Sequence, residues 1–226
     1  MPELSVIVPV YNEAKTIRQI LEKIDSVNID KEIIVVDDGS WDETGKILRD
    51  IRFDNLKIIY HSSNRGKGAA FLTGLANASG EFVIVQDADL EYDPADYIKL
   101  IEEIKKDDTD MVLGVRFTER YHGLLIPRLG NRFLTRFLNF LFDVQLNDFL
   151  TCYKLLSKDI LDKLELKSQG FNIELEIVSK ALKRKLKIKQ VPISYRPRTY
   201  KEGKKIRWLD GIYLIGNIIK YRFLIN

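Results

Sequence analysis

The chain has 226 residues, of which 45% are hydrophobic and 31% are charged, a composition typical of a globular protein with a hydrophobic core. Its one cysteine, Cys152, excludes an internal disulfide framework and favours a reducing compartment. The opening residues MPELSVIVPVYNE lack the basic start of a secretory signal, and no uncharged apolar run reaches the roughly 18 residues of a membrane span. We therefore expect a cytoplasmic protein without a transmembrane domain.

The formal net charge of +3 conceals two halves of opposite sign. Residues 1–110 contain 13 basic and 23 acidic residues, a net of −10, whereas residues 111–226 contain 23 basic and 10 acidic residues, a net of +13. This asymmetry suggests that the first half handles a cation and that the second half faces an anionic partner. An uneven surface charge without functional meaning is the alternative.

The first half alternates short runs of β-branched residues with helical patterns. We predict strands at 4–10, 32–38, 56–60, 81–85 and 110–115, and helices at 14–27, 42–51, 66–78 and 94–106. Pro94 suits the first turn of the last of these helices. Strands and helices in this order favour the α/β class, with a mostly parallel central sheet that carries helices on both faces.

The second half has a different pattern, with longer helices and fewer strands. We predict helices at 124–142, 171–186 and 208–221, a strand at 151–157 and an extended segment at 187–196. Neither a repeat nor a linker separates the halves. We therefore expect a single domain over residues 1–226, in which residues 116–226 complete the half formed by residues 1–115.

Polar and acidic side chains follow three of the predicted strands. They lie in the segments Tyr11-Asn12-Glu13, Asp37-Asp38-Gly39-Ser40 and Asp87-Ala88-Asp89. Ligands of parallel α/β sheets collect at the carboxyl ends of the strands. One such cluster is explained by a helix cap, but three at the same edge of a sheet predict a shared ligand.

Asp87 and Asp89 are two residues apart, so on a continuing strand their side chains would share one face. Two hard oxygen ligands on one side suit Mg²⁺ or Mn²⁺, which fills its remaining coordination positions with water and substrate phosphates. A dication with its diphosphate would compensate the charge at the end of a buried strand. A solvated turn with a capping Asp is the alternative for this motif taken alone.

Several short motifs together resemble a known enzyme family. They are PVYNE at 9–13, DDGS at 37–40, NRGKGAA at 64–70, DAD at 87–89 and GVR at 114–116. In this order and spacing they resemble the family 2 glycosyltransferases of the GT-A fold. The second half resembles a narrower group, the polyprenyl-phosphate sugar synthases of the dolichol-phosphate mannose synthase type, through DFLTCYKLLSKDIL at 148–161, FNIELEI at 171–177, VPISY at 191–195 and RTYKEGKK at 198–205.

The resemblance implies a nucleotide-sugar and metal-binding half at residues 1–115. Three residues after or within the first strand would hold the nucleoside, namely Pro9, Tyr11 and Glu13. Asp38 would contact the base or ribose, with Asp37 close by. Asp87 and Ala88 would lie along the diphosphate sugar, and Asp89 would bind the metal together with Asp87 and Glu91. The mannose synthases often carry Gln at the position of Glu91, which leaves metal preference and donor identity open.

The resemblance also implies an acceptor-binding half at residues 116–226. Arg116 matches a phosphate-binding arginine, and Arg198 and Lys204 match a basic pair that closes on the diphosphate. Arg116 with Arg128 or Arg132 would bind the phosphate of a polyprenyl acceptor. Asp148 lies where related glycosyltransferases place a base, and we retain it as a candidate that orients a hydroxyl group or basic residues.

The predicted helix 124–142 has the pattern of a membrane-surface helix. Arg128, Arg132 and Arg136 are four residues apart and line one face, and Phe and Leu residues populate much of the remainder. A basic amphipathic helix of this kind fits a membrane interface, and an ordinary core-packing helix with a charged outer stripe is the alternative. The helix 208–221 has a similar character. We expect peripheral association with the cytoplasmic face of a membrane.

Three other features have a structural interpretation. Gly66-Lys67-Gly68 matches neither phosphate-loop fingerprint, so we interpret it as a helix N-terminus with structural glycines. His61 and His122 have no partner pattern for zinc or for a catalytic triad, and we interpret them as structural or surface residues. The basic stretch 183–187 continues a helix, so we interpret it as a solvated face, with attraction to anionic lipid as the alternative, and expect no nucleic-acid partner.

The resulting hypothesis is a metal-dependent inverting glycosyltransferase, similar to dolichyl-phosphate mannosyltransferases. It would move one sugar from GDP-mannose or UDP-glucose to a polyprenyl (dolichyl) phosphate, with Mg²⁺ or Mn²⁺ as the cofactor. One alternative is a family 2 enzyme with a saccharide or another small acceptor. The other is a nucleotide-sugar-binding protein that has lost catalysis.

Overall fold

The computed structural model describes residues 1–106, 108–116, 125–198 and 208–224. Its centre is a seven-stranded sheet with the strand order β3-β2-β1-β4-β6-β5-β7. The strands are β1 (Leu4–Val10), β2 (Lys31–Asp37), β3 (Leu56–Tyr60), β4 (Phe82–Val85), β5 (Met111–Val115), β6 (Lys154–Ser157) and β7 (Ile188–Pro192). Four neighbouring pairs are parallel, and only β6 runs antiparallel to its two neighbours β4 and β5. The mostly parallel α/β sheet predicted from the sequence is confirmed.

Eight α-helices are described along the chain. They are α1 (Ile17–Ser26), α2 (Thr44–Asp50), α3 (Lys67–Leu75), α4 (Tyr97–Ile104), α5 (Leu125–Phe142), α6 (Lys158–Lys163), α7 (Ile173–Lys183) and α8 (Trp208–Phe223). A 3₁₀ turn at Pro94–Asp96 leads into α4, and the Asp93 carboxylate caps it by accepting a hydrogen bond from Ala95 N. Every helix predicted from the apolar spacing is present, with ends that differ by a few residues.

The central strands are buried on both faces. Val6, Ile7 and Val8 of β1 are fully buried, and successive strand residues point to opposite sides of a sheet. Both faces of β1 are therefore covered, as expected for parallel strands. Helix α3 packs directly against β1, because a Cβ added at Gly74 would lie 2.4 Å from the Ile7 side chain.

Two local expectations differ from the structure. Strand β4 ends at Val85, so Asp87 and Asp89 lie beyond the strand and do not share a strand face. Helix α6 was absent from the prediction, because its six residues are too few to show a periodic pattern. The Ser157 side chain caps α6 by accepting a hydrogen bond from Ile160 N at 3.2 Å.

Candidate active site

The loops that follow β1 and β2 are joined to each other by side chains. Asn12 N donates to Ser40 Oγ at 2.9 Å, and Trp41 N donates to Asn12 Oδ1 at 3.0 Å. Glu13 N donates to Thr44 Oγ1 at 3.0 Å. Asn12 has a φ of +55°, a left-handed conformation that Asn adopts more readily than most residues. The first two sequence-predicted clusters therefore meet at one edge of the sheet.

Asp38 links the end of β2 to the start of α3. Its carboxylate is buried and accepts hydrogen bonds from Arg65 N at 2.9 Å and from Gly66 N at 2.7 Å. His61 Nδ1 lies 2.7 Å from Asp38 Oδ1, and the other ring nitrogen of His61 lies 2.9 Å from Thr73 Oγ1. His61 is thus a buried structural residue, and Asp38 shapes this side of the site.

The third cluster follows β4, and its two aspartates face different partners. The Lys67 ammonium lies 2.7 Å from Asp87 Oδ1 and 2.9 Å from Glu174 Oε1. Lys154 Nζ in turn lies 2.5 Å from Glu174 Oε2. Residues of α3, β6 and α7 therefore form a chain of alternating charges that ends at Asp87. Ala88, between the two aspartates, is buried.

Asp89 and Glu91 face the guanidinium of Arg198. One terminal nitrogen of Arg198 lies 2.8 Å from Asp89 Oδ2, and the other lies 3.4 Å from Glu13 Oε2. The Arg198 Nε lies 3.7 Å from Glu91 Oε1. Carboxylates that follow two neighbouring strands, β1 and β4, are therefore gathered around one guanidinium.

Glu91 holds the segment that carries Arg198. Its Oε2 accepts a hydrogen bond from Tyr195 Oη at 2.7 Å, and its Oε1 accepts one from Arg198 N at 2.8 Å. The Glu91 carbonyl accepts from Arg196 N at 2.8 Å, and Tyr92 forms an isolated β-bridge with Tyr195. Glu91 therefore positions the late segment 195–198 beside the acidic cluster.

The electrostatic environments of Asp87 and Asp89 differ. Burial acts to raise the pKa of Asp87, but the adjacent Lys67 ammonium lowers it below its ordinary value. The pKa of Asp89 is raised to about 7 by burial and by the neighbouring Asp87 and Glu91 carboxylates, although Arg198 acts in the opposite direction. Asp87 is therefore ionised at neutral pH, whereas Asp89 titrates near it.

Arg116 and Asp148 form a bidentate ion pair. Arg116 Nε and Nη2 lie 2.7 and 2.8 Å from the two oxygens of Asp148, which is fully buried. Asn131 Nδ2 of α5 also donates to Asp148 Oδ1, at 3.0 Å. Asp148 is thus paired with one of the basic residues, and the guanidinium carbon of Arg116 lies 5.2 Å from the centre of the Tyr195 ring.

The acidic cluster fits a divalent cation. In the described ranges no three Asp, Glu, His or Cys side chains form a ready metal cage. Mg²⁺, however, uses only one or two carboxylates and retains waters and substrate phosphates. Burial and, after it, the Asp87 and Glu91 carboxylates raise the pKa of Asp89, and a dication beside it would favour its ionised form. Asp89 is the candidate metal ligand at this edge, although it is itself paired with Arg198 at 2.8 Å, because Asp87 is paired with Lys67 and Glu91 holds segment 195–198.

Helices α5 and α8 form a face on which basic and aromatic side chains are exposed. Arg132 and Arg136 are exposed, as are Leu129, Phe133 and Phe140 at 65%, 60% and 82% of their surface. Helix α8 packs beside α5, where Arg222 Nε donates to Leu141 O at 2.7 Å. Tyr213 and Phe223 of α8 are exposed, as is Leu224, which follows it. Over the part of the chain that the structure describes, no helix has the length and apolarity needed to cross a bilayer.

The structure brings most of the sequence-predicted residues to this edge of the sheet. Pro9 lies in β1 and Tyr11 directly follows it, while Asp37 ends β2 and accepts a hydrogen bond from Ser40 N at 3.0 Å. Arg128 lies on α5, partly buried. Lys204 lies outside the described residues.

Sequence reasoning missed the side chains that orient the site. Lys67 was interpreted only through its flanking glycines, and Glu174, Lys154 and Asn131 received no role. One signal was present: FNIELEI places two acidic residues in a helix that is otherwise apolar, and Glu174 and Glu176 are both buried. A buried carboxylate requires a partner, but the sequence does not show which one.

Comparison with known proteins places these observations in a family. The sequence model described as Glycosyl transferase family 2 matches residues 5–165. The chain is 31% identical over 204 residues to the low-salt glycan biosynthesis hexosyltransferase Agl6 of Haloferax volcanii, which covers 87% of this chain and 48% of that protein. It is 30% identical over 216 residues to the dolichol-phosphate mannosyltransferase of Pyrococcus furiosus, which covers 89% of this chain and 59% of that protein. The chain thus spans less than two thirds of the length of either relative.

The fold is similar to that of a solved enzyme structure. A crystal structure of glucosyl-3-phosphoglycerate synthase from Mycobacterium tuberculosis, in complex with Mn²⁺, UDP and glucosyl-3-phosphoglycerate, superposes with a TM-score of 0.71. Sequence identity is 22%, and the match covers 97% of this chain and 78% of that one. This similarity confirms the GT-A fold expected from the motifs.

Proposed function

The chain belongs to glycosyl transferase family 2, and from this premise we propose that it moves one sugar from a nucleotide sugar to a polyprenyl phosphate, such as dolichyl phosphate. The donor would be GDP-mannose or UDP-glucose. The observation that carries the proposal is the gathering of Glu13, Asp89 and Glu91 around Arg198 at the carboxyl ends of the strands. A diphosphate with its cation fits this place, because the carboxylates can bind the cation and the Arg198 guanidinium can bind the diphosphate.

The nucleoside would lie along the joined loops after β1 and β2. Pro9, Tyr11 and Glu13 would line one side of it, and Asp37 and Asp38 the other. Asp38 would contact the base or ribose from the wall of the site, where it also holds the loop at residues 65–66. The hydrogen bonds between the two loops already restrict their conformations, so donor binding would cost less conformational entropy.

The diphosphate would lie between the acidic cluster and the basic late segment. Asp89, beside Asp87 and Glu91, would hold a Mg²⁺ or Mn²⁺ ion, and such an ion supplies positive charge to the departing diphosphate. Arg198 would add a second positive charge at the leaving group, and Lys204 is proposed as a third. These charges accelerate the reaction because negative charge on the leaving group grows in the transition state.

The acceptor would be an already ionised phosphate. A phosphomonoester has a second pKa of about 6, so it carries its nucleophilic oxygen without a general base at neutral pH. This agrees with Asp148, whose two oxygens are engaged by Arg116 and Asn131. Arg116, with Arg128 or Arg132, would hold the acceptor phosphate in line with the leaving group, and direct displacement inverts the anomeric carbon.

The α5–α8 face would place the active site at a membrane surface. It combines exposed arginines with exposed Phe, Leu and Tyr side chains, the pattern of an interfacial helix. An anionic cytoplasmic leaflet would attract the arginines, and the aromatic side chains would enter the headgroup region. The active site would thereby lie at the level of the membrane surface where the phosphate of a lipid acceptor is located.

A product assay tests the proposal. The protein would be incubated with radiolabelled GDP-mannose or UDP-glucose, Mn²⁺ or Mg²⁺ and a short polyprenyl phosphate, and the label would then be followed into organic solvent. We expect metal-dependent, lipid-extractable label with one of the two donors. In parallel incubations a saccharide or another small acceptor would replace the polyprenyl phosphate, and label transferred only there supports the alternative family 2 activity. Donor binding without any transfer indicates a nucleotide-sugar-binding protein.

A further inference from the structure

A chain of four buried or half-buried charges lies behind the acidic cluster. Its order is Lys154, Glu174, Lys67 and Asp87, with each charge paired to the next. The side chains of Lys154, Glu174 and Lys67 are 1%, 9% and 12% exposed. They come from β6, α7 and α3, so the chain connects three elements to the loop that follows β4.

Fold stability does not explain such a chain well. Removing ions from water costs several kcal/mol each, and replacing a buried ion pair by apolar side chains is often neutral or stabilising. Buried charges of this kind instead fix a conformation, because each carboxylate has one orientation in which it is paired. The orientation that matters here is that of Asp87.

Asp87 is also held through its backbone. Gln86 Nε2 donates to Asp87 O at 2.9 Å, while Gln86 Oε1 accepts from Tyr97 Oη at 2.6 Å and from Tyr153 Oη at 2.5 Å. The turn that carries Asp87 is thus restrained at both backbone and side chain. This restraint turns Asp87 towards Lys67 and separates it from Asp89, which faces Arg198.

We propose that Glu174 is a positioning residue for sugar transfer: it aligns the Lys67 ammonium, which in turn fixes the Asp87 carboxylate beside the donor. Lys154 neutralises the second oxygen of Glu174 and completes the chain. The proposal rests on the proposed function, in which the acidic cluster that contains Asp87 lies beside the diphosphate of the donor. Glu174 itself does not touch the substrate, and its effect passes through Lys67.

Glu176 offers a matched control on the same helix. It is buried and paired with Lys180 at 2.9 Å, and it accepts from Lys167 N and Ser168 N at 3.1 and 2.7 Å. Its partners tie α7 to the preceding loop, which contacts the start of α3 through the backbone hydrogen bond from Ala69 N to Gln169 O at 2.9 Å. Glu174→Gln and Glu176→Gln therefore remove the same charge from similar burial, but only the first removes a direct ion pair with Lys67.

The test is a double-mutant cycle with steady-state kinetics and thermal unfolding. We expect Glu174→Gln to lower kcat by about 10- to 100-fold with the donor KM changed less, as for other residues that orient a ligand-binding group. Glu176→Gln should lower Tm to a similar extent while retaining kcat. Adding Glu174→Gln to Lys67→Met should cause no further loss of kcat, because the two residues act in series.

The outcomes separate the two proposals. A parent protein that transfers no sugar overturns the proposed function, and the positioning role with it. An active parent in which Glu174→Gln retains kcat as Glu176→Gln does, or in which the two losses of the cycle add, overturns the positioning role alone. If Glu174→Gln does not fold, Glu174→Asp keeps the charge but retracts it from Lys67 by one methylene. It should lower kcat, and full kcat in that variant also overturns the role.

Discussion

The acidic edge of the sheet and the α5–α8 face both carry charge, but they hold it differently. At the sheet edge Arg198 is paired at 2.8 Å with Asp89, and Lys67 at 2.7 Å with Asp87, so each cation has a fixed position. On the α5–α8 face Arg132 and Arg136 are exposed among exposed aromatic side chains. Fixed charges stabilise a particular transition state, whereas exposed charges attract any anionic surface and are screened by salt.

Two neighbouring carboxylates at the acidic edge also differ in their surroundings. Asp87 and Asp89 are separated by one residue, yet the lysine beside the first lowers its pKa, while burial and neighbouring carboxylates raise that of the second to about 7. Two carboxylates with different environments can take different roles. Asp87 would be ionised at neutral pH, whereas Asp89 would be partly protonated there and a bound cation would favour its ionised form.

The largest effect should come from the residue assigned to the cation. Asp89→Ala should lower kcat by about 1,000-fold, the upper range for loss of one preorganised group that stabilises transition-state charge. It should also abolish divalent-dependent nucleotide binding while leaving the fold intact, as measured by circular dichroism. Full turnover of the parent in EDTA, or of Asp89→Ala itself, would show that the edge does not act through a metal.

The second effect concerns Arg198, the guanidinium that lies beside the acidic cluster. Arg198→Ala should lower kcat by about 10- to 100-fold and change donor KM less, because the leaving-group charge develops in the transition state. Arg196→Ala is the control: Arg196 contributes its backbone N–H to Glu91 O, and its side chain is exposed. If Arg198→Ala raises KM alone, Arg198 binds donor and transition state equally.

The third effect belongs to the exposed face and should depend on salt. Arg132→Glu/Arg136→Glu should weaken sedimentation with anionic liposomes by about 30-fold or more, since each basic residue contributes about 1 kcal/mol. The parent protein should be released from the liposomes at high salt. The matched variant Arg184→Glu/Lys185→Glu changes the same charge on the exposed turn that follows α7. Equal loss in both variants would contradict a specific membrane face.

The smallest effect follows from the pKa of Asp89. Because this pKa is raised to about 7, the folded protein without metal holds a proton there that the unfolded chain loses near its ordinary pKa of 3.8. The contribution of Asp89 to the free energy of unfolding is therefore largest at low pH, declines as pH rises from about 4 to 7, and is level above that.

Cation binding should have the opposite dependence on pH. The carboxylate must lose its proton to bind, so Mn²⁺ affinity should rise up to about tenfold per pH unit below the pKa and level off above it. Thermal unfolding with and without Mn²⁺ at pH 6, 7 and 8 measures this, and the Mn²⁺-induced shift in Tm should grow over that range. A shift that is independent of pH in the parent, or that keeps its pH dependence in Asp89→Asn, would contradict the assignment.

Much of the architecture was determined by the sequence alone. Runs such as LSVIVPV and the apolar spacing in α1 are local patterns, and they predicted the strands, the helices and the mostly parallel sheet. The segments after β1, β2 and β4 were also correctly placed at one edge, because parallel strands end on the same side. The motifs in these segments were sufficient to identify the family.

Only the tertiary structure decided how the charges are paired. Strand β4 ends at Val85, which turned Asp87 and Asp89 towards different partners, and those partners, Lys67 and Arg198, come from distant parts of the chain. Likewise, Asp148 orients Arg116 because β5 and α5 bring both Arg116 and Asn131 to it. The spacing of apolar residues along a strand or helix indicates which of its side chains are buried. The partner of a buried charge depends on which elements the fold packs together, and that information is not contained in any single stretch of sequence.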